Sequence, residues 1–184
     1  MLRGTSRPQK IAPARRTGSI RSVMDALRRV VRDLRLSARD AERSAGISGA
    51  QLFVLQSLVA EPASSLNELA ERTLTDQSSV SVVVKRLADR NLVARRPSPV
   101  DARRIELSLT AAGKRLLARC PEPTQARLVR SLRRMSPTEL SSLMAGLAAL
   151  LREMGIENAA PAMFFDDDAA APSRPRAKSA RRRA

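Results

Sequence analysis

This sequence predicts a mainly α-helical chain that carries a winged helix-turn-helix between N- and C-terminal dimerisation helices. Three observations point there. Apolar residues recur at helical spacing through most of residues 19–155, behind repeated Ser-x-x-Glu/Gln start signals. A single stretch, Leu92 to Leu109, switches to extended patterning around the prolines 97 and 99. Immediately before it lies a short helix of small hydroxyl side chains and cations, joined to its predecessor by only Thr73, Leu74 and Thr75.

Taken in order, residues 1–18 are rich in Arg, Pro, Ser and Thr with little apolar content, the composition of a disordered basic arm. Ile20, Val23, Met24, Leu27, Val30, Val31 and Leu34 then form one stripe of a long helix over 19–45, opposite Arg21, Arg28, Arg29, Arg32, Arg35 and Arg39. Ser48-Gly-Ala-Gln51, Ser65-Leu-Asn-Glu68 and Ser136-Pro-Thr-Glu139 each announce a helix, because cap oxygen and returning side chain satisfy amides the first turn leaves free. Helices over 65–72 and 76–90 make the helix-turn-helix, with Leu66, Leu69, Ala70, Leu74, Val80, Val84 and Leu87 as its small core. Ile105, Leu107 and Leu109 alternate with polar neighbours, as in a half-buried strand. Thr110 caps a helix that Pro121 and Pro123 are expected to kink, and the last helix, 137–154, closes at Gly155. The winged helix-turn-helix thus occupies 46–110, the flanking dimerisation helices 19–45 and 111–155, and a disordered tail 156–184.

Charge narrows the partners. The formal net charge is +16, and residues 1–18 and 172–184 carry eleven of those excess cations without one acid. Such a balance favours nucleic acid over membrane. No apolar run approaches the roughly 20 residues a bilayer span needs, and no apolar core follows the N-terminal arginines, so a soluble, cytoplasmic protein is expected. With no histidine and the single Cys120, neither a disulfide nor a zinc site is expected, nor any cofactor. The missing imidazole, and the absence of paired-carboxylate or phosphate-loop patterns, argue against an enzyme.

The candidate contact residues cluster. Ser78, Ser79, Ser81, Val82, Lys85 and Arg86 lie on the second helix of the pair; Arg95, Arg96, Asp101, Arg103 and Arg104 lie along the hairpin. A compact cationic helix suits a major groove, and a cationic hairpin suits the neighbouring phosphates and minor groove. The bland alternatives are solvated serines and an Arg103–Asp101 surface pair; exposed pairs contribute only about 0–1 kcal/mol, so stability alone gives little reason for it.

Asp101-Ala-Arg103 followed by Leu107-Ser-Leu109-Thr110, after Asn91-Leu92-Val93 and Arg95-Arg96, resembles the wing signature of the MarR family of bacterial transcriptional regulators. The resemblance covers about residues 19–155. It implies a homodimer on duplex DNA, acting as a repressor that a small effector relieves, with Arg103 entering the minor groove and Asp101 orienting it. Val82 departs from the polar residue many relatives carry there; a valine can meet a thymine methyl but cannot grip guanine. Family members that sense oxidants place their cysteine in the first helix, which has none here, so Cys120 reads as inert. Two rivals remain. One is a largely non-specific, nucleoid-type DNA-coating protein driven by the basic tails; the other is a protein-interaction module on the same fold.

Overall fold

The computed structural model describes residues 13–97, 105–158 and 163–165. Helices α1 (Pro13–Ala45), α2 (Gly49–Ser57), α3 (Leu66–Thr73) and α4 (Gln77–Asp89) precede strands β1 (Val93–Pro97) and β2 (Ile105–Leu109). Helices α5 (Ala111–Leu117), α6 (Thr124–Arg134) and α7 (Pro137–Glu153) follow. The strands pair antiparallel from Val93↔Leu109 to Pro97↔Ile105. On its other edge β2 exchanges two backbone hydrogen bonds with Ala63, of 2.9 and 2.7 Å, which ties the wing to the loop before α3. This is a winged helix-turn-helix with helices on both flanks.

The start signals act as their chemistry requires. Ser48 and Gln51 close a reciprocal capping box on α2, as Ser136 and Glu139 do on α7. At α3 the box opens: the Ser65 hydroxyl accepts the Glu68 amide, but the Glu68 carboxylate takes the amide and hydroxyl of Ser64, at 2.7 and 2.6 Å. Thr110 caps α5 and also fastens it to the wing. Its hydroxyl accepts the Gly113 amide at 3.0 Å and donates to the Asn91 carbonyl at 2.7 Å. Gly113 has no alternative residue here, since a Cβ would stand 2.2 Å from the Leu92 carbonyl oxygen.

The core lies inside the winged domain. Ile47, Leu52, Leu55, Leu69, Val80, Val83, Val84, Leu87 and Leu107 are fully buried. The expected helix-turn-helix core holds for Leu69, Ala70, Val80, Val84 and Leu87, with Leu66 packed at its margin. Leu74 is the exception, 62% exposed. It ends α3 in the left-handed region, φ 54°, where its backbone satisfies the last carbonyls and its side chain is thrown outward. Val83 takes an inner place instead, completing the 80, 83, 84, 87 stripe.

Four further expectations change. Helix α1 begins at Pro13 rather than Ser19, so the helix runs through Gly18. Pro121 and Pro123 do not kink a helix but separate two, α5 and α6, because each removes an amide donor and crowds the turn before it. Ile105 is exposed, being beyond the edge of the core. Past Gly155 the chain does not leave the domain at once: Met163 is 4% exposed and belongs to the core.

Burial divides the flanking helices from that core. Leu34, Ala38 and Ala41 of α1 pack inward, while Ile20, Val23, Met24, Val30 and Val31 of the same helix are exposed. No residue of α7 is buried.

Candidate nucleic-acid interface

Helix α4 presents two unlike faces. With Val80, Val83, Val84 and Leu87 buried, a rotation of about 100° per residue sends Ser78, Val82, Lys85 and Asp89 along the opposite stripe, with Ser81 at its edge. Val82 is 44% exposed, an unusual outlay of apolar surface for a position the core does not use. Ser79 and Arg86 lie on the flank towards the α1–α2 turn, where Arg86 shares a cleft with Glu42, Asp89 and Arg90. Gln77, first residue of α4 and exposed, stands beside Ser78 and was not among the sequence candidates. Its signal was positional: an amide side chain in the first turn after an N-cap.

Asp76 organises that first turn. Its carboxylate accepts the Ser79 amide at 2.9 Å, the Ser79 hydroxyl at 2.7 Å and the Ser78 hydroxyl. Three donors on one carboxylate hold it well below the usual carboxylate range, the Ser78 hydroxyl contributing most. Ser78 and Ser79 therefore reach any partner with their protons directed at Asp76 and their lone pairs outward. Lys85 makes an exposed 3.6 Å pair with Asp89, worth little and easily exchanged for a phosphate.

Below this turn, Arg72 braces α3. Its guanidinium donates to the carbonyls of Glu61 and Pro62, each at 2.9 Å, and pairs with Glu68. Ser64 and Arg72 together lower the Glu68 carboxyl to about 2, the Ser64 hydroxyl being the largest cause. Arg95 and Arg96 are exposed on β1, and Asp101, Arg103 and Arg104 lie outside the described residues.

A second recess opens between α2, α3 and α6. It is a cavity of about 390 Å³ whose lining includes Phe53, Arg72, Glu122, Arg130 and Arg133. Arg130 meets Glu122 through two hydrogen bonds, one of 2.9 Å, and holds that carboxyl below its ordinary range. Cys120 is half-buried, its thiol against the Leu116 carbonyl at 3.4 Å. Among the described residues no group of acids and cysteine could hold a metal ion, and no helix is long and apolar enough to cross a membrane.

Fold and surface together define a winged helix-turn-helix protein with a hydroxyl- and cation-bearing second helix. Comparison with known proteins narrows the class: residues 45–104 match the sequence model of the MarR family. Over those residues the winged helix-turn-helix of this chain is similar to that family. The HTH-type transcriptional repressor MdtR of Bacillus subtilis is 43% identical over 68 residues, 37% of this chain and 44% of that protein. A putative transcriptional regulatory protein for the hcr operon of Thauera aromatica is 29% identical over 116 residues, 63% of this chain and 70% of its own length. The chain thus spans under half of the first relative and about two thirds of the second. Among solved structures, a MarR family transcriptional regulator of Streptomyces coelicolor in complex with DNA superposes with a TM-score of 0.50 at 24% identity, covering 81% of this chain and 92% of that one. Another MarR family transcription regulator gives 0.52 at 21% identity, covering 77% and 94%. At these identities the superpositions speak for the fold.

Proposed function

We propose that this chain is a sequence-specific, DNA-binding transcriptional repressor of the cytoplasm that acts as a homodimer and responds to a small-molecule effector. The observation that carries the reading is the outer face of α4, where Ser78, Ser81, Val82 and Lys85 are presented together beside a hairpin bearing Arg95 and Arg96. In the major groove the serines offer acceptors and Val82 meets a thymine methyl. Lys85, Arg86, Arg95 and Arg96 hold phosphates, which fix register without reading sequence. Asp101, Arg103 and Arg104 take the wing role that the family pattern assigns, with Arg103 probing minor-groove width.

The dimer reading rests on apolar surface. Leu140, Leu143, Met144, Leu147, Leu150 and Leu151 on α7, Met154 at its C-cap, and Ile20, Val23, Met24, Val30 and Val31 on α1 are all exposed in a single protomer. Surface of that extent on two helices marks an interface. The cavity between α2, α3 and α6 suits the effector, because Arg72 on its wall belongs to the helix-turn-helix while Arg130 and Arg133 belong to α6.

The test is binding to a fragment from upstream of the protein's own gene, against random duplex of equal length, across a salt series. A preference that survives near-physiological salt supports the repressor. Equal binding with a steep salt slope favours the rival in which the basic tails coat DNA. No binding to either overturns the reading in favour of protein interaction.

A further inference from the structure

Among the helices that start on a side-chain cap, α4 differs from the rest. Ser48, Ser65, Thr110 and Ser136 each accept a first-turn amide on a hydroxyl, whereas α4 uses the carboxylate of Asp76. Capping alone gives no reason for the difference, since serine and aspartate cap about equally well. The helix dipole gives none either: α2 and α5 also lack an acid in the first turn, and both are capped by a hydroxyl. On a helix that faces a polyanion, a carboxylate is the less favourable choice of the two.

What the carboxylate adds is further acceptor capacity. Its Oδ1 accepts the Ser79 amide at 2.9 Å, as any cap would, and also the Ser78 hydroxyl; its Oδ2 accepts the Ser79 hydroxyl at 2.7 Å. These donors, the Ser78 hydroxyl foremost, hold the carboxyl below its ordinary range, so Asp76 stays an acceptor. The turn behind it is fastened as well. The Thr75 amide donates to the Ala70 carbonyl at 3.0 Å. The buried Thr73 hydroxyl donates to the Leu69 carbonyl at 2.8 Å and meets the Thr75 hydroxyl at 2.7 Å. Asp76 thus faces the serines from a braced turn.

A serine hydroxyl is ordinarily an undiscriminating reader of bases, because it can donate one proton or accept on two lone pairs. The proton of Ser78 is already committed to Asp76. Ser78 is exposed, and Val82 follows it one turn on along the same outward stripe. With lone pairs alone to offer, Ser78 complements the amino groups at cytosine N4 and adenine N6, and opposes the acceptors of guanine and thymine.

We propose that Asp76 is a positioning residue for base recognition: it holds the Ser78 hydroxyl as an acceptor, so that α4 selects an amino-bearing base edge, cytosine or adenine, at the pair Ser78 meets. This rests on the DNA-binding reading above and names the base chemistry that its first turn reads.

The test starts from a duplex that the full chain selects out of a randomised pool. Ser78→Ala marks the base pair that Ser78 reads, as the one whose preference disappears. At that pair the amino group is deleted, with purine in place of adenine or pyrimidinone in place of cytosine. Wild type is expected to lose roughly three- to tenfold in affinity, and Ser78→Ala nothing further. The pair is then reversed, so that Ser78 meets guanine or thymine. The penalty for reversal is expected to be roughly three- to tenfold smaller in Asp76→Ser, which keeps a hydroxyl cap but frees the Ser78 proton. Asp76→Thr, the kind of cap α5 uses, takes its place if circular dichroism shows Asp76→Ser to be unfolded. Equal reversal penalties, with binding merely weakened on both duplexes, make Asp76 a helix cap only and overturn the proposal. So does a wild type indifferent to the amino group, or a Ser78→Ala chain that loses no preference. A wild-type chain that selects no sequence overturns the sequence-reading function and this proposal with it.

Discussion

The winged domain and the helices that flank it are built on opposite terms. From Ile47 to Leu116 most apolar side chains are inside, Val59, Leu74, Val82 and Ile105 excepted; every helix start is capped by a hydroxyl or carboxylate, and Thr110 and Gly113 lock wing to α5. In α7 and the first half of α1 the apolar side chains are outside, although Ser136 and Glu139 cap α7 as well as any helix in the chain. Local signals are equally good in both regions, so the difference lies in tertiary partners. The winged domain closes a core of its own, whereas the flanks leave their apolar faces exposed. Under the proposed dimer, stability and assembly would be carried by separate parts of the molecule.

The largest effect expected is on the flanks. Leu143→Asp with Leu147→Asp should raise the dimer dissociation constant by roughly a thousandfold or more, since two leucines removed from burial cost about 4 kcal/mol per protomer. Sedimentation velocity would show a monomer whose circular dichroism is unchanged; a dimer that persists would place the interface elsewhere. Within the winged domain, Gly113→Ala should lower unfolding free energy by about 2–3 kcal/mol in urea titrations, because its Cβ meets backbone rather than a yielding side chain. A neutral result there would mean that the wing and α5 separate easily. Arg103→Ala is expected to weaken promoter binding by about tenfold, about 1.4 kcal/mol, while thermal stability stays put. Unchanged affinity would remove the wing from the contact surface.

The smallest effect concerns pH. Glu68 has its carboxyl lowered from 4.5 to about 2 by Ser64 and Arg72. A depressed folded-state value means that its stabilisation is complete above pH 4.5 and is lost as pH falls towards 2. Wild type should therefore lose its advantage over Glu68→Gln across that window, followed by urea midpoints at each pH. An advantage that is flat with pH would show the Ser64 and Arg72 contacts to be unimportant to folding.

Much of this fold was legible in the residues. Ser48, Ser65 and Ser136 marked helix starts because capping is local chemistry, and the 80, 84, 87 stripe marked the buried face of α4. Leu74 misled because its hydrophobicity argued for burial while the three-residue turn demanded a left-handed cap that points it outward. The prolines at 121 and 123 were seen, but whether a break bends or divides a helix depends on what α5 and α6 each pack against. Met163 was missed for the same kind of reason: the core it joins includes Ala41, Ile47 and Ala50, more than a hundred residues away. Of the candidate site, Ser78, Ser81, Val82 and Lys85 fall on one outward stripe, whereas the hydrogen bonds that commit Ser78 and Ser79 to Asp76 exist only in three dimensions.

The most direct test of a dimeric, sequence-reading repressor is a hydroxyl-radical footprint on the DNA upstream of its own gene. Two protected patches on one face of the duplex, about 34 Å apart, are the predicted result, because two copies of α4 would enter successive major grooves. Uniform protection along the fragment, or a single patch of half that extent, would contradict it.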